Sequence, residues 1–333
     1  MTQHPRVNLV PNPTPIEPLA RLSEQYGVEL SVKRDDLAGV SFGGNKARQL
    51  EYYLGAAVAA NADTILITGA VQSNFVRTAA ASAAKLGMKT IVQLEDRVAG
   101  MDDQYRQSGN VLLLDLMGAE IMRYPEGEDE AGADNALRER AAELTKQDHT
   151  PYVIPLGLGE KPLGALGYMR AAEEVIAAGQ SFDTIIVPTG SGLTHAGFLA
   201  GLRNAGDQTP VIGSCVRRAA DLQTARITEV IKNIELLLGH STGVRPTDIQ
   251  IWDGALAPGY GKIGPLSAQA IRDAAQNEGL ILDPVYSAKA FAAIPALIEH
   301  GDITRGSRVL FLHTGGLSAI FAYESMMRSA IEC

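Results

Sequence analysis

Four short apolar runs punctuate the chain: Thr64-Ile65-Leu66-Ile67-Thr68, Thr90-Ile91-Val92-Gln93-Leu94, Thr184-Ile185-Ile186-Val187 and Arg308-Val309-Leu310-Phe311-Leu312. Each is rich in β-branched residues and apolar on both alternating faces, the pattern of a parallel strand covered by helices on either side. Longer, alanine-rich segments with helical spacing lie between and after them: Gln72 to Lys85, Ala131 to Lys146, Gly164 to Ala178 and Ser287 to His300. Alternation of this kind predicts an α/β architecture built on open, mostly parallel sheets. No Ser/Gly linker, charge block or internal repeat divides the chain. Its 333 residues still point to about two domains of ~150 residues each.

Charge narrows the choice of partners. The chain has 38 acidic side chains against 29 Lys plus Arg, a formal net charge of −9, which argues against nucleic acid or an anionic membrane surface. No run reaches the roughly 18 apolar residues that cross a bilayer. Met1-Thr2-Gln3-His4-Pro5-Arg6 lacks the apolar core of a signal peptide. Cys215 and Cys333 are the two cysteines, which argues against a disulfide framework and for a reducing, cytoplasmic setting. The acidic stretch Glu126-Gly127-Glu128-Asp129-Glu130 reads as a solvated loop leading into a helix N-terminus. Six histidines (His4, His149, His195, His240, His300, His313) show no metal-ligand spacing. His195 and His313 read as helix-start or core residues, Cys215 as a packing residue in an apolar strand, and Trp252 as structural.

Glycine is the compositional outlier. There are 34, roughly a tenth of the chain against a usual share near 7%, and a hydrophobic fraction of 46% rules out disorder as the cause. Four glycine turns are placed where an open α/β sheet binds ligands: Gly43-Gly44-Asn45-Lys46, Gly69 to Asn74, Thr189 to Thr194, and Thr314-Gly315-Gly316. The third follows an apolar strand and leads into a helix. Its N–H groups and the hydroxyls of Thr189, Ser191 and Thr194 suit a phosphate at a helix N-terminus. His195 stands where a dinucleotide fingerprint needs its third glycine, and no lysine completes a Walker A loop, so a phosphate monoester fits best. Lys46, beside two glycines and Asn45, has the setting of a desolvated Schiff-base lysine. Lysine plus monophosphate cradle on an α/β sheet points to pyridoxal 5′-phosphate (PLP).

Six ordered motifs then carry a resemblance: Gly43-Gly44-Asn45-Lys46, Gln72-Ser73-Asn74, Gly190 to Gly197, Ala257-Pro258-Gly259-Tyr260-Gly261, Leu282 to Tyr286 and His313 to Gly316. Together they resemble the family of D-cysteine desulfhydrases and 1-aminocyclopropane-1-carboxylate (ACC) deaminases among fold-type II PLP enzymes, a group that includes L-cysteate sulfo-lyases. The match runs from about Pro13 to Tyr323. It implies a tryptophan-synthase-β-like fold of two open parallel-sheet α/β domains, the smaller (residues 49–160) inserted in a larger PLP domain (1–48 and 161–333), and a homodimer. By the same resemblance Lys46 would hold PLP covalently. Asn45 would support it, and Thr189, Gly190, Ser191, Gly192, Leu193 and Thr194 would bind the phosphate. Asn74 would bond the 3′ oxygen and Thr314 would line the ring. Ser73 would take the substrate carboxylate through its hydroxyl and nearby N–H groups, with Asn74, Phe75, Lys161, Tyr260, Tyr286 and Gly315 around the substrate. Lys46, Ser73, Tyr260 and Tyr286 would be the catalytic set.

Ser287 bears on the chemistry. ACC deaminases carry glutamate there, paired with a protonated pyridine nitrogen. A serine hydroxyl can donate to a neutral nitrogen but cannot hold a pyridinium, which favours rapid loss of a β leaving group. Thr314 also follows the desulfhydrase pattern, so ring opening of ACC is disfavoured. The implied reaction is α,β-elimination of a short sulfur amino acid to pyruvate and ammonium, with Lys46 or a tyrosine as base. Phe75, the stretch Leu156-Gly157-Leu158-Gly159-Glu160-Lys161-Pro162 and Arg217-Arg218 depart from the desulfhydrase pattern and resemble cysteate lyases. Lys161, Arg217 and Arg218 are candidate sulfonate ligands, although surface charges are their ordinary role. L-cysteate, releasing sulfite, is therefore favoured over D-cysteine, releasing sulfide; a non-catalytic PLP-binding protein is the alternative from another class.

Overall fold

The computed structural model describes residues 4–127, 129–157 and 159–332. Met1 to Gln3, Glu128, Leu158 and Cys333, all part of the sequence reading above, lie outside the described residues. In chain order, β1 (Ile16–Pro18), α1 (Ala20–Tyr26) and β2 (Glu29–Lys33) lead to α2 (Asn45–Ala59). The next strands and helices are β3 (Thr64–Ala70), α3 (Asn74–Lys85), β4 (Lys89–Glu95), α4 (Asp103–Gln107), α5 (Asn110–Leu116), β5 (Glu120–Tyr124), α6 (Glu130–Thr145) and β6 (Pro151–Ile154). After α7 (Leu163–Ala177) come β7 (Thr184–Thr189), α8 (Leu193–Asn204), β8 (Val211–Cys215), α9 (Ala220–Leu238) and β9 (Gln250–Trp252). The chain ends with α10 (Pro265–Glu278), α11 (Ser287–Phe291), α12 (Ala293–His300), β10 (Arg308–Leu312) and α13 (Glu324–Glu332).

Two sheets result. The strands from Thr64 to Ile154 form one, in the order β5-β4-β3-β6, parallel throughout. The other runs β1-β2-β10-β7-β8-β9 and is parallel except for the β1–β2 pair. The two-sided apolar pattern of the runs is explained by burial on both faces. In β7 and β10, Ile186, Val309 and Phe311 enter one apolar cluster, whereas Ile185, Val187, Leu310 and Leu312 enter another on the opposite face. Helix α2 serves both halves: Leu50, Tyr53 and Leu54 pack with the four-stranded sheet's core, and Tyr52 packs with α7 and α8.

Where the expected segments differ from the observed ones, local chemistry gives the reason. The helix expected from Gln72 starts at Asn74 because Ser73 caps it, its hydroxyl accepting from the N–H groups of Phe75 and Val76. The helix expected over Ser287 to His300 is broken into α11 and α12 around Ala292. Pro295 lacks an N–H and its ring crowds the carbonyl four residues back, that of Phe291.

The start of α2 is tied to β2 and α7 by four buried charges. Arg48 donates to both oxygens of Asp35 at 3.0 Å and to both oxygens of Glu174 at 2.7 Å. Lys33 Nζ donates to Glu174 at 2.9 Å and to the Thr14 hydroxyl at 2.6 Å. Tyr168 and Thr14 donate to Asp35 at 2.7 and 2.6 Å. Burial opposes ionisation of Asp35, but Arg48, Lys33 and these hydrogen bonds outweigh it and hold its carboxyl at about 2. Gly167 allows α7 to pass close by: a β-carbon there would lie 2.0 Å from the Arg48 carbonyl oxygen.

Asp35→Asn leaves two buried cations facing one carboxylate and should cost about 3–5 kcal/mol in urea unfolding. The stabilisation from Asp35 should be present above about pH 4 and be lost as pH falls toward 2, because its folded-state value is the lowered one. Gly167→Ala should cost about 1–3 kcal/mol by forcing α2 and α7 apart. A midpoint unchanged in either variant would contradict the packing described.

Candidate active site

A cleft opens at the carboxyl ends of β3 and β7, between the two sheets, and Lys46 projects into it from the first turn of α2. The chain enters that turn under strain. Ser41 and Phe42 take positive φ values of 51° and 63°, which few residues with side chains adopt. Asn45 N–H then donates to the Thr314 carbonyl at 3.0 Å, fixing the helix start against the last glycine turn. Lys46 Nζ lies 3.4 Å from Gln49 Oε1 and 5.2 Å from the ring centre of Phe75. Among the described residues no carboxylate pairs with it, and burial holds its ammonium down to about 8.

The loop Gly190-Ser191-Gly192 between β7 and α8 lines the cleft and leaves the helix N-terminus without a side-chain cap. Gly192 has φ +100°, a conformation that disfavours any β-carbon, and one built there would stand 3.2 Å from Ile227. Loop carbonyls are engaged from behind: Arg218 donates to Gly190 O at 3.2 Å and Arg226 Nε to Ser191 O at 2.8 Å. Thr194 Oγ1 accepts from Asn45 at 2.8 Å and Gln49 at 3.0 Å, which leaves its own proton available to a ligand. Uncapped N–H groups, this hydroxyl and a lysine with no carboxylate partner among the described residues fit a phosphate monoester that also carries an aldehyde, as PLP does. Thr189 departs from the expectation. It lies behind the loop, nearly fully buried, its hydroxyl accepting from Gln223 at 2.8 Å, and it lines no part of the cleft.

Ser73, Asn74 and Phe75 line the opposite wall. Asn74 Oδ1 accepts from Asn110 at 3.1 Å, and Asn110 in turn bonds Gln72 and Ser318. This bracing was not foreseen, because Asn110 and Ser318 carry no motif of their own. Tyr260 and Tyr286 share a hydrogen bond of 2.8 Å between their hydroxyls. Burial raises both phenols, so the pair stays protonated where Lys46 is already losing its proton. The loop bearing Tyr260 is held by Lys289, whose buried ammonium donates to the carbonyls of Leu256 at 2.7 Å and Gly259 at 2.8 Å. A lysine within the apolar run Ser287 to Phe291 was the available signal for that role.

Ser287 is not where the sequence reading put it. It is fully buried, its hydroxyl donates to Asp283 Oδ1 at 2.6 Å, and it does not face the cleft. Its proton is thus committed to a carboxylate rather than offered to a ring nitrogen. Thr314, Gly315 and Lys161 do line the cleft. Glu130 also departs from the solvated-loop reading: it lines the cleft and pairs with Arg217, Arg218 and Arg226. Burial opposes its ionisation, but these guanidiniums and that of Arg97 prevail and hold its carboxyl below the usual range. Arg217 and Arg218 are accordingly half-buried, ion-paired residues.

The remaining readings fit packing. His195 is buried and kept neutral, pushed down to about 4 by loss of water. His313 bonds Ile281 O at 3.0 Å and accepts from Gly315 N–H. Cys215 is buried, its thiol raised to about 12 by burial. Among the described residues no metal-binding group of side chains occurs, and no helix is long and apolar enough to cross a membrane.

Comparison with known proteins agrees with this cleft. Residues 7–315 match the family described as pyridoxal-phosphate dependent enzyme. A D-cysteine desulfhydrase of Yersinia enterocolitica is 40% identical over 97% of both chains, and one of Salmonella choleraesuis is 38% identical over the same share. The crystal structure of an ACC deaminase homologue superposes with a TM-score of 0.87 at 38% identity, covering 99% of this chain and 97% of that one. A fungal L-serine ammonia-lyase from Rhizomucor miehei shares the fold alone, with a TM-score of 0.69 at 16% identity over 96% of this chain and 98% of that one. The α/β architecture is thus that of fold-type II PLP enzymes. With a lysine, a phosphate cradle and this kinship together, the chain belongs to the D-cysteine desulfhydrase and ACC deaminase family and is a PLP-dependent lyase.

Proposed function

We propose that the chain catalyses α,β-elimination from a short sulfur amino acid, with L-cysteate as preferred substrate and sulfite, pyruvate and ammonium as products. The observation that supports cysteate is the set of cations that line the cleft, Arg97, Arg217, Arg226 and Lys161, alongside the carboxylates Glu130 and Glu160. A sulfonate needs several donors once it leaves water, and guanidinium forks supply them. A second reading, D-cysteine with sulfide as leaving group, is supported by the names of the relatives that are 40% and 38% identical.

Bound PLP supplies the electron sink that acidifies the Cα–H bond of an attached amino acid. Lys46 and the loop Gly190 to Thr194 would hold the cofactor, with Asn74 and Thr314 as its other ligands from the cleft lining. Ser73, whose hydroxyl accepts from the Phe75 and Val76 N–H groups and keeps its own proton, would donate to the substrate carboxylate. As a free amine, Lys46 takes the Cα proton. The electron pair of that bond becomes the Cα–Cβ double bond, and the Cβ–S pair departs with sulfur. Tyr260 and Tyr286, kept protonated, steady the departing group by hydrogen bonding. The released enamine takes up water to give pyruvate and ammonium, so no oxidant or reductant is involved.

Pyruvate release should be compared across L-cysteate, D-cysteine, L-cysteine and ACC. The highest kcat/KM is expected for L-cysteate. Equal or better turnover of D-cysteine would favour the second reading, and 2-oxobutanoate from ACC would overturn the elimination reading. Purified protein should absorb at about 410–420 nm through its lysine-bound cofactor, and Lys46→Ala should abolish that band. Reloading of the PLP-free protein, followed at the same wavelength, needs the neutral amine. Its rate should therefore rise as pH increases through about 8; a rise only near the ordinary lysine value would contradict the desolvated setting.

A further inference from the structure

Three guanidiniums from the six-stranded half of the molecule meet one carboxylate from the other half. Arg217 and Arg218 both donate to Oε1 of Glu130, at 2.8 and 2.7 Å, and Arg226 stands 3.5 Å from Oε2. Glu130 is the first residue of α6, whereas Arg217 and Arg218 follow β8 and Arg226 lies in α9. The arginines are not free to disperse. Arg218 and Arg226 are anchored on the carbonyls of Gly190 and Ser191, in the loop assigned to the cofactor phosphate. Cations held this close in a half-buried wall need an anion among them. Glu130 supplies it from within the chain, and it does so on the cleft surface, beside Arg97, Arg217 and Arg226.

A carboxylate in that place presents oxygens to the same forked donors that would grip a sulfonate or sulfite. The Arg226 contact is long for a charged hydrogen bond, so its fork is only loosely engaged by Glu130. We propose that Glu130, Arg217 and Arg226, which line the cleft, form an exchangeable anion subsite, in which the carboxylate, also held from behind by Arg218, keeps the two guanidiniums ready and yields them to an acidic β-substituent of the substrate. This deepens the elimination reading, on which it rests for the identity of the substrate. It makes Glu130 a specificity-determining residue, a built-in competitor of the sulfonate, and not only a bridge between the two halves.

The test uses PLP-loaded protein, so the phosphate cradle is already filled, with methanesulfonate as a probe in calorimetry. Wild-type protein should bind it; Glu130→Gln should bind it about tenfold tighter and Arg217→Gln about tenfold more weakly. Arg217→Lys keeps the charge but loses the fork, and should weaken binding while retaining the cofactor absorbance that reports a folded cleft. In kinetics, Glu130→Gln should lower the KM for L-cysteate about tenfold relative to that for D-cysteine. Weaker methanesulfonate binding in Glu130→Gln, equal changes in both KM values, or no binding to any of the proteins would overturn the subsite. If none of the amino acids yields pyruvate, the elimination reading fails by itself, while the calorimetry still decides whether the anion subsite exists.

Discussion

The cleft depends on where α2 begins, and that is fixed by the buried contacts among Lys33, Asp35, Arg48 and Glu174. Two cations and two anions leave water together, and each finds partners inside. Such a group adds little net stability over an apolar filling of the same volume, because desolvation offsets most of the attraction. What it adds is register. Arg48 lies two residues beyond Lys46, so its simultaneous bonds to the segment after β2 and to α7 set the axial position and rotation of the helix carrying the reactive amine. A greasy contact would tolerate a slide of an ångström; two bidentate guanidinium contacts do not.

Within that frame, acid and base roles are divided by environment rather than by residue type. Lys46 is enclosed with no carboxylate among the described residues to favour its charge, so it titrates early. Tyr260 and Tyr286 are enclosed with each other, and burial keeps their protons on. Elsewhere in the cleft, charge is neutralised locally, as in the contact of 2.6 Å between Arg97 and Glu95. Burial thus pushes an amine and two phenols in opposite directions, giving one site a proton acceptor and a donor pair over the same pH range.

The sequence displayed what is local and concealed what is long-range. The strand Arg308 to Leu312 has the observed bounds because its apolar run is uninterrupted. Strand β7 runs on through Pro188 and Thr189, beyond the apolar run, because its ladder with β8 extends that far. Strand β2 was not anticipated: Glu29-Leu30-Ser31-Val32-Lys33 alternates polar and apolar residues, and the charge of buried Lys33 is met by Thr14, Asp35 and, far along the chain, Glu174. The same division holds at the site. Lys46 and the loop Gly190 to Thr194 are marked by glycines next to them. Thr189 and Glu130 have partners, Gln223 and the arginines, that become neighbours only through tertiary packing, whereas Ser287 is turned away by a local bond to Asp283, four residues earlier.

The cleft is assembled from two sheets that contribute unlike things. The loop Gly190 to Thr194, proposed for the cofactor phosphate, and the tyrosine pair Tyr260 and Tyr286 come from the six-stranded side. Ser73, Asn74, Phe75, Arg97 and Glu130 come from the four-stranded side. Divergence along this lineage therefore has a natural seam. Changes in the turn after β4, or at the start of α6, can alter which amino acid is accepted while leaving Lys46, Asn74 and the loop Gly190 to Thr194 in place, so new substrate preferences can arise one wall at a time.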